Sequence, residues 1–567
     1  MIHPEYRFIE SSKAFKLDDK LTPIYPSIEG IQTGRLRNLV GQALNIMRTS
    51  QPNEYLPEYI LKEIKMPSLP EALINLHQPP ANLKHADINE AMRSYKERLS
   101  FEELLANYIS LRQLKLLAAN TTADSLQDGK NEVSQFVQTL NFQLTAAQKL
   151  VCKEILADLN KPQPMMRMLQ GDVGSGKTVV AAIACLKTIA NKKQAAIMAP
   201  TELLTEQHME SFSTWFAKLN INIVKLTGGQ KKSIRENNLR QIEKGEANLI
   251  IGTHALFQEG VIFKDLALII IDEQHRFGVN QRVALREKGS QSKKQPHQLI
   301  MTATPIPRTL AMAAYADLDS SIIDELPVGR KSVETLVIPN DKRPSVIERV
   351  NDACTKGQQA YWVCPLIDES ELIKADAATD RYEYLKKIIK PLKIGLIHGR
   401  QKQAEKENTM RLFKEGKIDL LVATTVIEVG VNVPNASLMI IENAERMGLT
   451  QLHQLRGRVG RGNQKSHCIL LYKKPLGSLA YDRLSILRET NDGFVIAQRD
   501  LELRGPGELL GTKQTGLPQY RIADLMRDAH LLPKVQKIAE TLMHDFPNKT
   551  KKIIMRWSSD DQHYGKV

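Results

Sequence analysis

The octapeptide Gly171 to Thr178, GDVGSGKT, lies between a short apolar run and a stretch rich in Val and Ala. It fits the pattern G-x-x-x-x-G-K-[ST], in which glycines let the backbone wrap around phosphate groups while N–H groups point at their oxygens. Such a loop must follow a strand and open a helix, because the phosphate then meets the helix N-terminus. The octapeptide therefore predicts a strand–loop–helix unit that binds ATP or GTP.

The loop residues have different expected roles. We expect Lys177 to reach the β- and γ-phosphates, and the Thr178 hydroxyl to ligate Mg²⁺. The rest of the loop is also expected to contact the nucleotide, which adds Gly171, Asp172, Val173, Gly174, Ser175 and Gly176.

A magnesium site of this kind needs a carboxylate at the end of a neighbouring strand. The run Leu266–Ile271, LALIII, is entirely apolar and is followed directly by Asp272 and Glu273. We expect Asp272 to hold Mg²⁺ through its water shell and Glu273 to polarise the attacking water. Two solvated acids that end a strand are the alternative.

Short apolar runs alternate with longer amphipathic stretches from about residue 140 to 330, and again from about 340 to 475. Nearly uninterrupted apolar runs are typical of parallel strands covered by helices on both faces. The fold class predicted is α/β, with two tandem parallel-sheet domains and a cleft between them. The predicted strands are Met166–Leu169, Ala195–Ala199, Asn248–Ile251, Leu266–Ile271, Leu299–Thr302, Ala360–Leu366, Ile394–His398, Leu420–Ala423, Leu438–Ile441 and Cys468–Tyr472.

Size and composition limit the class of protein. A chain of 567 residues is too long for one hydrophobic core. Its net charge of +14 favours polyanions, although solubility explains the charge equally well. Five scattered cysteines predict buried apolar residues rather than a disulfide framework or a zinc site. The absence of a signal peptide and of a membrane-spanning apolar run predicts a cytoplasmic protein with no membrane partner.

The acidic pair continues as Asp272-Glu273-Gln274-His275, which resembles the DEAD/DEAH box of superfamily 2 helicases. The other motifs of that superfamily follow in order, so the resemblance implies RecA-like domains and assigns adenine recognition to Gln148. It also assigns coupling to nucleic acid to residues of several strand-end loops. These are Thr201, Thr253, His254, His275, Thr302, Thr304, Thr424 and Thr425.

The stretch Gln454 to Arg461, QLRGRVGR, resembles motif VI of the same superfamily. The resemblance makes Gln454, Arg458 and Arg461 catalytic residues. Arg458 and Arg461 lie three residues apart and would share a helix face, from which they could stabilise charge on the γ-phosphate. A solvated arginine face is the alternative. ATP binding would close the cleft and hydrolysis would reopen it.

Longer sequence segments indicate one family within superfamily 2. The segments DEQHRFGV, TATPIPRTL and QLHQLRGRVGRG resemble the RecG family of bacterial DNA translocases. Residues 492–516 resemble the TRG motif, a helical hairpin and loop that this family shares with the transcription-repair coupling factor. The motif assigns a role in coupling cleft motion to duplex DNA to Asp500, Arg504 and Gln514.

The family resemblance implies ATP- and Mg²⁺-dependent translocation that remodels stalled forks and Holliday junctions in recombination and repair. It implies a monomer in the bacterial cytosol or nucleoid, with branched or duplex DNA and single-stranded-DNA-binding protein as partners. It divides the chain into residues 1–135 (wedge remnant and helical linker), 136–335 and 336–475 (RecA-like domains 1 and 2), and 476–567 (TRG motif and C-terminal helices).

Family members begin with an oligonucleotide-binding wedge domain, and the sequence HPEY lies near its end. This chain starts with Met1-Ile2-His3-Pro4-Glu5, so we expect most of the wedge to be missing. A second departure is Asn432, which stands where relatives usually have Asp. Two alternatives stay open: a DNA-binding scaffold with residual ATPase, and an RNA helicase, because phosphate contacts do not separate DNA from RNA.

Overall fold

The computed structural model describes residues 21, 23–25, 32–79, 85–119, 121–127, 132–258, 260–273, 294–303, 318–327, 329–330, 332–365, 371–424, 433–460, 462, 464–510, 520–525 and 527–557. The chain forms two compact units. The helical unit contains Met1–Gln113 and Pro518–Lys566, and the two-sheet unit contains Leu114–Leu517. Segments from the early and late parts of the sequence therefore share one unit. The family resemblance instead divides the chain into four consecutive domains, and those domain boundaries stay a prediction.

The first sheet of the two-sheet unit forms the domain that contains the predicted nucleotide loop, and we call it the nucleotide domain. In the described residues it has seven strands in the order β3-β4-β2-β5-β6-β1-β7, all parallel. Its strands are β1 (Met166–Gly171), β2 (Gln194–Met198), β3 (Ile223–Leu226), β4 (Leu249–Gly252), β5 (Leu266–Ile271), β6 (His297–Thr302) and β7 (Asp319–Ile323). Its helices are α5 (Glu132–Thr139), α6 (Ala146–Leu159), α7 (Lys177–Ala190), α8 (Glu202–Phe216) and α9 (Lys232–Lys244).

The second sheet forms the second domain. Its six described strands are also parallel, in the order β10-β11-β9-β12-β13-β8. They are β8 (Val333–Pro339), β9 (Gln359–Val363), β10 (Ile394–Ile397), β11 (Leu420–Ala423), β12 (Ala436–Ile441) and β13 (Ser466–Tyr472). The accompanying helices are α10 (Arg343–Thr355), α11 (Glu371–Ile388), α12 (Gln403–Lys414), α13 (Leu449–Arg456), α14 (Ser478–Glu489) and α15 (Gly493–Leu510).

Each of the ten predicted strands corresponds to a strand of these sheets, with ends shifted by one to three residues in most cases. The three strands that the sequence pattern misses are β3, β7 and β8, and all three lie at sheet edges. Edge strands are less buried and carry polar residues, as in DSSII of β7. The inner strand β5 is buried along its whole length, which is why its apolar run is so clear.

The cores of both domains lie against the two faces of their sheets. All five cysteines are buried and unpaired, as the sequence predicts. Among the helices that the structure describes, none combines the length and apolar character that crossing a membrane requires.

The helical unit is built around a long helix, α4. Apolar residues recur at helical spacing from Phe101 to Leu117, and they lie in a helix that spans His85–Ala119. Inside the unit, the buried Glu103 carboxylate accepts hydrogen bonds from the backbone N–H groups of residues 521–523 at the other end of the chain. The other helices are α1 (Thr33–Thr49), α2 (Glu58–Ile64), α3 (Leu69–His77), α16 (Leu532–Asp545) and α17 (Pro547–Trp557).

Candidate nucleotide site and its connections

The predicted phosphate loop joins β1 to α7. Gly174 and Gly176 have φ angles of +78° and +86°, which residues with a side chain rarely adopt. Lys177 opens α7, and its Nζ donates to the carbonyl oxygens of Gly171 at 2.7 Å and Asp172 at 3.0 Å. The turn therefore holds the ammonium group across the mouth of the loop.

The loop suits a Mg²⁺–triphosphate. The Ser175 hydroxyl is buried and has no hydrogen-bond partner in the described part of the chain. Thr178 lies in the first turn of α7, and Asp272 is close enough to Lys177 for their charges to interact. A buried hydroxyl, a second hydroxyl, a carboxylate and an ammonium group thus lie around one helix N-terminus, where phosphate and its metal ion are stabilised.

Gln148 lies directly against this loop. It caps α6 together with Thr145: its Oε1 accepts from the Thr145 N–H at 3.0 Å, while its Nε2 donates to the Ser175 carbonyl at 2.7 Å. A Cβ atom at Gly176 would collide with the Gln148 amide, so the glycine permits this approach. Glu325 also reaches α6, where its Oε2 accepts from the Ala147 N–H at 3.2 Å.

The acidic pair follows β5 as predicted. Asp272 Oδ2 lies 2.9 Å from His208 Nε2 on α8, and Asp272 Oδ1 accepts from the Glu273 N–H at 3.1 Å. Glu273 has a φ of +55°, a left-handed conformation that stores strain in a residue with a side chain. Burial would raise the pKa of Asp272, but His208 and Lys177 outweigh burial and hold the pKa below its ordinary value. Asp272 is therefore ionised.

Motif VI reaches the nucleotide loop from the second domain. His453 on α13 places its Nε2 2.7 Å from Asp172 Oδ1. Arg456 Nη2 lies 2.8 Å from the other ring nitrogen of His453, and because arginine can only donate, the proton of His453 lies on Nε2. A Cβ atom at Gly457 would lie 2.8 Å from Val173 Cβ, so the backbone of motif VI lies close against the loop.

The Asp172 carboxylate is ionised as a result of these contacts. Burial would raise the pKa of Asp172, but the hydrogen bond from His453, the hydrogen bond from the Val173 N–H and the charge of Lys177 lower the pKa overall. The second domain therefore contacts a charged group of the nucleotide loop.

Helix α13 also contacts the two helices that follow the second sheet. Arg456 is buried, and its Nη1 donates to the carbonyl oxygens of Leu487 and Thr490 at the end of α14, both at 2.8 Å. Thr450 Oγ1 donates to Asp500 Oδ2 on α15 at 2.6 Å. One short helix thus joins the nucleotide loop to α14 and α15.

The predicted coupling residues that the structure describes lie mostly at the carboxyl ends of strands, where ligands bind in open parallel sheets. Thr201 caps α8 by accepting from the Leu204 N–H at 3.3 Å. Thr253 follows β4, His254 is exposed beside it, Thr302 ends β6 and Thr424 follows β11. The Thr253 and Thr424 hydroxyls are buried and have no hydrogen-bond partner among the described residues.

Motif VI residues Gln454 and Arg458 lie at the end of α13 and just after it, and Arg458 is buried beside Gly457. Arg504 lies on α15, where its side chain is outside the description. Six further positions lie outside the described residues: His275, Thr304, Thr425, Asn432, Arg461 and Gln514. Sequence patterns assign no role to His208, Glu325, Arg330 and Thr450, because these residues meet their partners only in the folded chain. His453 and Arg456 lie within the segment QLHQLRGRVGRG, but the family resemblance gives them no role.

A phosphate loop after β1, an Asp-Glu pair after β5 and a motif VI helix against the loop define a helicase of superfamily 2. The profile of the DEAD/DEAH box helicase family matches residues 145–313, and that of the helicase conserved C-terminal domain matches residues 344–463. A third profile, ATP-dependent DNA helicase RecG, domain 3, C-terminal, matches residues 490–559.

The chain is 53% identical over 565 residues to the ATP-dependent DNA helicase RecG of Escherichia coli K12, covering 100% of this chain and 81% of that protein. It is 42% identical over 528 residues to RecG of Bacillus subtilis, covering 93% of this chain and 76% of that protein. The chain belongs to the RecG family of ATP-dependent DNA helicases.

A solved structure of RecG bound to a three-way DNA junction resembles the chain with a TM-score of 0.70 and 41% identity. The match covers 90% of this chain and 66% of that one. The helicase MrfA bound to DNA has a TM-score of 0.50 at 15% identity, which shows a shared fold alone. The predicted α/β class with two tandem RecA-like domains is confirmed.

Proposed function

We propose that this chain uses ATP hydrolysis to move on double-stranded DNA and remodel branched DNA in recombination and repair. The observation that carries the proposal is the position of α13, whose His453 contacts the nucleotide loop while Thr450 and Arg456 contact α15 and α14. The choice of branched DNA as the substrate is supported by the RecG relatives, one of which has been solved bound to a three-way DNA junction.

The nucleotide residues take the roles that their positions support. Lys177 stabilises the β- and γ-phosphates, and Thr178 and Asp272 hold Mg²⁺, which when bound neutralises charge on the phosphate oxygens. Glu273 orients and polarises the attacking water. Arg458 acts from the second domain on charge that develops at the γ-phosphate.

Arg461 is expected to act beside Arg458, and Gln454 to position the motif. The residues proposed to couple the nucleotide to DNA follow the strands of both domains: Thr201, Thr253, His254, His275, Thr302, Thr304, Thr424 and Thr425. Asp500, Arg504 and Gln514 act from the C-terminal segment, where Asp500 is held by Thr450.

Double-stranded DNA is a better-supported substrate than RNA, because the relatives at 42% to 53% identity are DNA helicases. The net charge of +14 suits either nucleic acid. A monomeric state, binding of single-stranded-DNA-binding protein and a place in the bacterial cytosol stay predictions from the family resemblance.

The test compares ATPase stimulation of the full chain by a four-way DNA junction and by single-stranded RNA of equal length. We expect strong stimulation by the junction and little by RNA, and a preference for RNA would reject the proposal. Lys177→Ala should abolish both hydrolysis and junction unwinding while the chain still binds the junction. Equal unwinding by this variant and the wild type at saturating ATP would instead support a scaffold.

A further inference from the structure

Arg330 extends from the connection between β7 and β8, which joins the two sheets. Its Nη1 donates to the Val173 carbonyl in the nucleotide loop at 2.5 Å. The chain turns tightly just before it: the Arg330 N–H donates to the Pro327 carbonyl at 3.2 Å, and Gly329 has a φ of +90°. This turn directs a guanidinium group onto the loop that binds phosphate.

The nucleotide loop accommodates this side chain through Gly174. A Cβ atom at Gly174 would collide with Arg330 Nη1 and lie 2.9 Å from its Cζ. The glycine therefore serves two purposes, since its φ of +78° shapes the loop and its missing side chain leaves room for the guanidinium group. Arg330 lies against the first half of the loop, whereas Lys177 belongs to its second half.

Two groups of the loop lie close to the Arg330 guanidinium. Its hydrogen bond goes to the neutral Val173 carbonyl, and the nearby Asp172 carboxylate also accepts from His453 and from the Val173 N–H, both at Oδ1. Burial lowers the pKa of Arg330, and the charge of Asp172 opposes that effect. A desolvated cation beside an anion-binding loop is stabilised when an anion enters.

The anion that belongs in this loop is the nucleotide's polyphosphate. A guanidinium group presents a planar fork of donors that matches phosphate oxygens, and such charge-assisted hydrogen bonds are stronger than one to a neutral carbonyl. We infer that Arg330 is a nucleotide-binding residue that exchanges the Val173 carbonyl for the terminal phosphate of the bound triphosphate.

The proposed contact of Arg330 with phosphate also affects the connection between β7 and β8. Glu325, from the same connection, holds the start of α6 beside Gln148. The connection between the sheets therefore lies along the nucleotide site, and a phosphate-bound Arg330 fixes that connection when a triphosphate is present but not when a diphosphate is.

The inference rests on the proposed ATPase, and it is tested by binding without turnover. Equilibrium titrations of the full chain with fluorescent ADP and with a fluorescent, non-hydrolysable ATP analogue are compared for the wild type, Arg330→Ala and Arg330→Gln. Glutamine keeps a donor for the Val173 carbonyl but has no charge. Arg349→Gln, an exposed arginine on α10, is the matched control, and melting temperatures confirm folding.

We expect both Arg330 variants to bind the triphosphate analogue about tenfold more weakly and ADP less than threefold more weakly. Wild-type affinity in Arg330→Gln, or equal weakening for both nucleotides, would mean that Arg330 only supports the loop, and would overturn the inference. If the wild type bound neither nucleotide, the proposed ATPase itself would fail. The two failures are therefore distinguishable.

Discussion

His208 Nε2 lies 2.9 Å from Asp272 Oδ2, so a helix that begins after β2 holds the carboxylate that ends β5. The contact keeps Asp272 ionised and fixes the direction of one carboxylate oxygen. The imidazole therefore acts on the proposed magnesium site without being one of its ligands.

Replacing His208 with Ala should raise the Mg²⁺ concentration that the ATPase requires. Partners that orient a metal-binding carboxylate typically contribute about 10- to 100-fold to metal affinity or activity. We expect the Mg²⁺ concentration for half-maximal ATPase to rise about tenfold, measured as a Mg²⁺ titration at saturating ATP. His467→Ala, a histidine on β13, is the control. An unchanged Mg²⁺ requirement in His208→Ala would contradict this role.

A side chain at Gly457 should keep motif VI away from the nucleotide loop. The added Cβ of Gly457→Ala would lie 2.8 Å from Val173 Cβ, so one of the two segments must move. We expect kcat for ATP hydrolysis to fall by about tenfold, because misplaced transition-state groups lower kcat more than binding. Gly477→Ala is the control, since its added Cβ would meet nothing within 4 Å. A fall in nucleotide affinity with unchanged kcat would be the contrary result.

Removing the His453 imidazole should uncouple hydrolysis from movement. His453→Ala breaks the link between Asp172 and Arg456 but leaves Lys177 and Asp272 in place. We expect the number of ATP molecules hydrolysed per junction unwound to rise several-fold, with a smaller change in the ATPase rate. Both rates are measured in one reaction. A proportional loss of both, with the ratio unchanged, would show that His453 supports only the ATP site.

Acid should destabilise the nucleotide domain through His297. His297 accepts from the Met165 N–H and its other ring nitrogen lies 2.8 Å from the Asp124 carbonyl, so the buried ring is neutral. Burial lowers the pKa of His297, while Asp124 opposes the shift. The unfolded chain therefore takes up a proton near the ordinary pKa of about 6.5 before the folded chain does, and stability falls as the pH drops below that value.

The loss attributable to His297 is at most about 1.4 kcal/mol per pH unit. Thermal unfolding midpoints at pH 7.5 and 5.5 should therefore fall further for the wild type than for His297→Gln, although the variant starts lower. Parallel pH dependence in the two proteins would assign the effect to other groups.

The Glu103 carboxylate should contribute strongly to the stability of the helical unit. Its oxygens accept from three backbone N–H groups, those of Arg521, Ile522 and Ala523. Glu103→Gln removes the charge and turns one acceptor into a donor, which we expect to destabilise the unit by about 1–3 kcal/mol. Hydrogen exchange at residues 521–523 should speed up markedly, with exchange in β5 unchanged. Unaltered exchange at 521–523 would contradict the assignment.

The proposed ATP site is the part of this protein whose local structure the sequence predicts best. The loop from Gly171 to Thr178 lies between a strand and a helix, and the pair Asp272-Glu273 follows β5, as the local sequence patterns predict. Inner strands such as β5 are equally easy to predict, because both of their faces are buried and their sequences are almost wholly apolar. The edge strands β3, β7 and β8 were missed because their partly exposed faces tolerate polar residues.

The α/β class, the nucleotide loop and the order of the helicase motifs can be predicted from the sequence alone, because these depend on short-range spacing and on continuous burial. The pairing of side chains across the site depends instead on tertiary contacts. His208 and Asp272 are 64 residues apart, Val173 and Arg330 are 157 apart, and Asp172 and His453 are 281 apart. Such pairs arise where segments far apart in the sequence meet in the folded chain, and no local periodicity encodes them.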